Sequence, residues 1–173
     1  ATAGTFYKLL EKRGVSANGY FVFFIHSDGT VRLIIDDGPN TFDSLGATTN
    51  VMDDVWHHVA VTVNRAGDEM KLYVDGTVDE TGDISAVTGS VNNGVSLHIG
   101  ANNHLNNMFN GTMDEVRLYK RLLNEDEIRA RYLSGLNVTL KPFTDIGGKV
   151  GINDTTPTET LDITGTFSVK SGQ

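Results

Sequence analysis

Short apolar runs set at every second position, and divided by turn residues, recur along most of this chain. Tyr20 to Ile25 is apolar on both faces, which predicts a strand buried on both sides. Ser27-Asp28-Gly29 turns it into Val31–Ile35, and Asp37-Gly38-Pro39-Asn40 breaks that run. Residues 41–55 are mixed and fit a short strand with loops. From His57 the alternation sharpens. His57, Val59, Val61 and Val63 share one face; Trp56, His58, Ala60 and Thr62 share the other. Met70, Leu72 and Val74 alternate with Lys71 and Tyr73. Asp75-Gly76 follows, two positions that favour φ > 0 and so signal a two-residue hairpin. Val95, Leu97 and Ile99 alternate with Ser96 and His98, and Val116 and Leu118 alternate with Glu115, Arg117 and Tyr119. A period of two with turns between predicts an all-β fold.

One helix interrupts the pattern. Asn124 can cap its first turn, and Glu127, three residues on, completes a capping box. Leu123 and Ile128 stand at the two ends of a hydrophobic staple. Glu125 and Asp126 suit the positive end of the helix dipole, and Gly135 is a natural stop. Ile128 and Tyr132, four apart, predict the docking face. After Gly135 the composition shifts to Thr and Gly. Val150, Ile152, Leu161, Ile163, Phe167 and Val169 are too few core candidates for residues 136–173 to fold alone. The domains predicted are therefore 1–135 and 136–173.

Composition narrows the function classes. The chain has 173 residues and a net charge of -8, with no basic stripe, so nucleic acid is not an expected partner. It has no cysteine, which excludes disulfides and thiolate metal sites. No apolar run approaches the ~20 residues that a membrane helix needs. There is no Gly-x-Ser-x-Gly elbow and no phosphate-binding loop.

Several motifs then fall in order. Trp56–Thr62, Lys71–Gly76, Leu97–Asn102, Phe109–Tyr119 and the helix Leu123–Tyr132 together resemble the laminin-G-like, concanavalin A-like lectin/glucanase jelly roll. The resemblance implies a two-sheet antiparallel β-sandwich that binds carbohydrate or a cell-surface ligand outside the cell, on a cell surface or on a virion. Many such domains hold calcium and a minority are glycoside hydrolases or polysaccharide lyases, so fold alone does not choose the activity. Family domains begin with strands upstream of the region matched by Tyr20. Here Thr5–Glu11 is the sole candidate, so an outer part of the sandwich is expected to be missing. Lys149–Pro157 followed by Leu161–Phe167 resembles a repeat of phage tail-fibre stalks, which implies a homotrimer. A structural spacer on such a fibre is the alternative to a binding module.

Candidate chemistry is sparse. Asp114 shares parity with Val116 and Leu118, so it is expected on the core side of a strand. A buried carboxylate there needs a partner, either a bound calcium or protein groups such as the Thr112 hydroxyl. His57 and His58 are adjacent on a strand, face opposite ways, and cannot easily share one zinc. Asp114 and Glu115 are adjacent on a strand and face opposite ways, and Asp79-Glu80 falls just past a hairpin in an expected loop, so neither makes a glycosidase pair and no enzyme activity is expected. The Asn102-Asn103-His104-Leu105-Asn106 loop is the candidate ligand site. Its amides both donate and accept, which suits sugar hydroxyls, although the same composition also makes an ordinary polar turn. Tyr73 and Tyr119 are the outward-facing aromatic candidates.

Overall fold

Each strand expected between Tyr20 and Val74 forms. The computed structural model describes residues 6–14, 19–102, 108–136, 144–146, 149–152 and 161–163. In chain order, β1 is Tyr7–Lys12, β2 Tyr20–Ile25, β3 Val31–Asp36 and β4 Thr41–Asp43. Then come β5 Val59–Asn64, β6 Glu69–Val74, β7 Thr77–Asp83, β8 His98–Ile99 and the helix α1 Glu125–Gly135. These belong to the first of two compact units, Ala1–Gly135.

Two antiparallel sheets result. One has the strand order β4-β3-β2-β1-β8 and the other β5-β6-β7. Leu9, Phe23, Ile25, Leu33 and Ile35 from the first meet Met70, Leu72 and Val74 from the second in one buried cluster. Fully burying one such side chain is worth about 1.5–3 kcal/mol, so this seam is the main stabilising term. The β6–β7 hairpin turns on Asp75 and Gly76, at φ 51° and 74°, as its sequence requires. Gly76 also lets the helix approach: a Cβ there would meet the Arg129 backbone at 3.2 Å.

Helix α1 covers the outer face of the three-stranded sheet. Tyr73 points away from the sandwich core but is buried with Leu123 and Ile128, beside Ala60 and Val78. The capping box forms in both directions. The Glu127 N–H donates to Asn124 Oδ1 at 2.8 Å, and the Asn124 N–H donates to Glu127 Oε2 at 3.0 Å.

Three expectations need correction. Of residues 95–99 only His98 and Ile99 are strand, because the groups just before them bond to side chains. Asn93 Oδ1 accepts the Val95 N–H at 3.0 Å, and Lys12 Nζ donates to the Val95 carbonyl at 2.7 Å. The strand expected at residues 114–119 does not form. Glu115 has φ 53° and its N–H donates to Asp114 Oδ1 at 2.7 Å, so the chain turns there and the parity argument fails. Val116 and Leu118, expected inward, are exposed. Finally, Asp79 and Glu80 lie on β7 rather than in a loop. Leu72 pairs with Glu80 and Tyr73 with Val78, which leaves Asp79 as the extra residue of a β-bulge.

The second unit, Leu136–Gln173, contains β9 Thr144–Ile146, β10 Lys149–Ile152 and β11 Leu161–Ile163. They form a small sheet in the order β11-β10-β9, with β10 parallel to β11 and antiparallel to β9.

Candidate recognition surface

A strand sends alternate side chains to opposite faces. With Phe23, Ile25, Leu33 and Ile35 in the core, the other parity of the five-stranded sheet points outward. Its register sets residues in rows across the strands. Tyr20 pairs with Asp36, which pairs with Thr41. Lys8 pairs with Phe24, which pairs with Arg32. Glu11 pairs with Val22 on one side and His98 on the other. One face therefore gathers aromatic, cationic, acidic and hydroxyl groups, and α1 packs on the other sheet.

The Tyr20 end is the accessible one. Tyr20 is half-buried, and the exposed Arg13 holds its guanidinium 4.5 Å from the ring centroid. Burial pushes the Tyr20 phenol up from its ordinary pKa, and the neighbouring Asp36 carboxylate adds to that. Asp36 is itself fixed: Oδ2 accepts the Thr41 hydroxyl at 2.6 Å and Oδ1 accepts the Gly38 N–H at 2.8 Å. At the other end Lys8 is buried over Phe24, 4.6 Å from the ring, with Glu11 Oε2 at 3.6 Å from its Nζ. Burial lowers the Lys8 pKa. In the same row as Lys8, Arg32 donates to Asp28 Oδ2 at 2.6 Å. Burial opposes ionisation of Asp28, but its bonds from the Thr30 hydroxyl and N–H, His26 and Arg32 outweigh that and hold its carboxyl far below the usual range.

The chemistry of this face suits binding. A ring stacked with a guanidinium takes the apolar face of a sugar, and fixed carboxylate, hydroxyl and guanidinium groups take its hydroxyls. The acid pair Asp79-Glu80 is committed elsewhere. Asp79 accepts the N–H and hydroxyl groups of Thr48 and Thr49, and Glu80 Oε1 accepts the Leu45 N–H at 3.2 Å. Both carboxylates clamp the loop at residues 45–49 onto β7.

The residues expected from the sequence are divided. Asn102 is buried just after β8; Asn103, His104 and Asn106 lie outside the described residues. Asp114 is exposed rather than core-facing, since the turn at Glu115 reverses its parity. Among the described residues no three His, Asp or Glu side chains gather at one point. Sequence reasoning missed Arg13, Tyr20, Arg32 and Asp36. Their signal was present: Arg32 and Asp36 alternate with Val31, Leu33 and Ile35. Tyr20 was hidden in a run that is apolar on both faces. Tyr73, expected outward, lies under α1, whereas Tyr119 is exposed.

Residues 2–129 match the family model described as the concanavalin A-like lectin/glucanases superfamily. The chain belongs to that superfamily. Among curated proteins it is 24% identical over 119 residues to non-toxic nonhemagglutinin type E of Clostridium botulinum, covering 69% of this chain and 10% of that protein. It is 28% identical over 97 residues to Paraclostridial mosquitocidal protein 1 of Paraclostridium bifermentans, covering 56% of this chain and 8% of that one. The chain thus spans about a tenth of the length of these relatives. Among solved structures, the CBM40 of the Ruminococcus gnavus IT-sialidase superposes with a TM-score of 0.58 at 21% identity, over 76% of this chain and 77% of that one. The binding domain of Paraclostridial mosquitocidal protein 1 gives 0.55 at 21% identity, over 76% of this chain and 32% of that one. These likenesses establish the superfamily's sandwich as the fold of this unit: two antiparallel sheets with one short helix.

Proposed function

We propose that residues 1–135 form a non-catalytic glycan-binding module that works outside the cell, with Arg13, Tyr20, Arg32, Asp36 and Thr41 as its sugar platform. The observation that carries this reading is the Tyr20 end of the outer face of the five-stranded sheet, where no helix packs among the described residues and a cation-stacked tyrosine sits beside fixed polar groups. The superfamily's similar structures support it. The Ruminococcus gnavus CBM40 has been solved bound to α2,3 and to α2,6 sialyllactose. Two of the similar structures are a CBM and a binding domain, which favours recognition over catalysis. The tail-fibre origin and the homotrimer expected for residues 136–173 rest on their sequence motif alone, since the family match ends at residue 129.

A glycan array followed by calorimetry with sialyllactose and lactose tests the module. Binding to at least one glycan is expected, with a loss of roughly tenfold or more for Tyr20→Ala, equivalent to about 1.4 kcal/mol. No binding to any glycan, or Tyr20→Ala binding like the parent, would sink the reading.

A further inference from the structure

Three residues of the proposed platform have chain neighbours tied to one and the same segment, residues 89–95. Arg13 follows Lys12, Tyr20 follows Gly19, and Asp36 precedes Asp37. Asp37 Oδ2 accepts the Gly89 N–H at 2.7 Å. Gly19 has φ 78° and lies so close to the segment that a Cβ there would stand 2.4 Å from the Ser90 carbonyl oxygen. Lys12 Nζ donates to the carbonyls of Asn93 and Val95, both at 2.7 Å.

Asn93 is the centre of these ties. Its Nδ2 donates to the Gly19 carbonyl at 2.5 Å and to the Lys12 carbonyl at 3.2 Å. Those carbonyls belong to the peptide groups that lead into Tyr20 and Arg13. Its Oδ1 accepts the Val95 N–H at 3.0 Å and Lys12 Nζ at 3.1 Å. Both protons and both lone pairs of the amide are used, which fixes its orientation. One half-buried side chain thus bridges the end of β1 and the start of β2, beside the two residues that form the guanidinium–ring stack.

We infer, on the platform reading above, that Asn93 is a positioning residue of the glycan site: its amide clamps together the peptide groups before Arg13 and Tyr20 and so holds the guanidinium on the ring. A stack already in place leaves less ordering to the binding step. Asn93 acts through the backbone, so its loss loosens the stack without removing either stacked side chain.

Asn93→Asp tests the clamp. It keeps the shape and the acceptor facing Val95 and Lys12, but sets an oxygen where Nδ2 met two carbonyls. In proton NMR of the ligand-free chain, the Arg13 side-chain protons near the Tyr20 ring should lie upfield, and Tyr20→Ala marks their unstacked position. Asn93→Asp is expected to move them toward that position. In calorimetry with sialyllactose, or with the tightest-binding glycan of the array, it is expected to weaken binding by about threefold to tenfold, the size of a net hydrogen bond. With Arg13→Ala already in place it should cost no further affinity, which a loop that was merely loosened would not explain. Unmoved Arg13 protons, an unchanged affinity, or losses that simply add overturn the inference. A parent chain that binds no glycan sinks the platform reading, and the inference falls with it; a parent that binds while Asn93→Asp changes nothing sinks the inference alone. If Asn93→Asp lowers the thermal melt sharply, the parent decides. Asn93 side-chain amide protons that exchange slowly with water support the clamp, and fast exchange overturns it.

Discussion

The two sheets of this sandwich are built alike and finished differently. Both are antiparallel and both turn alternate apolar side chains into one core. On the three-stranded sheet the outward residues are closed over: Tyr73 is buried under Leu123 and Ile128 of the helix layer. On the five-stranded sheet the outward row of Tyr20, Asp36 and Thr41 meets Arg13 rather than a helix. An outward tyrosine is thus a packing residue on one face and, in the function proposed above, a recognition group on the other. What decides is whether an element of the chain lies across it, which the parity of a single strand does not show.

Substitution separates the two tyrosines most strongly. Tyr73→Ala opens a cavity between β6 and α1 and is expected to cost about 3 kcal/mol or more in urea unfolding, as large aromatic truncations in cores do. The fraction still folded should bind glycan as the parent does. Tyr20→Ala should do the reverse, with a change in unfolding free energy below about 1 kcal/mol and the affinity loss described above. If both variants lose stability alike and neither loses binding, the division between a structural and a recognition face is wrong.

The same division explains what the sequence revealed. Features set by local chemistry were legible. Asp75-Gly76 gives two adjacent positive φ values, and Asn124 with Glu127 closes both bonds of a capping box. The all-β class and the strands from Tyr20 to Val74 follow from period-two patterning. Features set by long-range pairing were not. Val116 and Leu118 alternate as a strand should, yet the turn at Glu115 and the lack of a pairing neighbour among the described residues leave them exposed. Asp114 was misplaced for the same reason. The recognition face was obscured because Tyr20 sits in a run whose next outward residues, Val22 and Phe24, are fully buried.

The cap of α1 gives a smaller effect on the closed side. Asn124→Ala removes the acceptor for the Glu127 N–H and should cost about 1 kcal/mol in urea unfolding. The other half of the box is backed by Arg121, whose ion pair and the Asn124 N–H hold the Glu127 carboxyl at about 2. Glycan affinity should not change, because the helix lies on the opposite face. A drop in affinity with this variant would mean that the two faces are coupled.

The finest separation lies in two adjacent histidines at the entrance to β5. His57 is held on both nitrogens, with Nδ1 2.8 Å from Asp75 Oδ2 and Nε2 3.0 Å from Asp53 Oδ1. Burial alone would lower its pKa, but these two carboxylates outweigh it and raise the pKa above the ordinary value of about 6.5. The link therefore adds stability in full below that value and loses it as pH rises through the folded pKa. His58 faces the other way, against the Tyr132 ring, and its buried Nδ1 has no hydrogen-bond partner. Burial lowers its pKa, with the Asp75 charge opposing and Arg117 adding, so its neutral form supports the fold above the ordinary value and that support fades as pH falls. Between about pH 7.5 and 5.5, His57→Gln should become progressively less stable relative to the parent, and His58→Gln progressively more stable. Urea midpoints measured across that window check both slopes. Slopes of the same sign would show that the two imidazoles do not sit in the opposed environments that the alternating faces of the strand entrance give them.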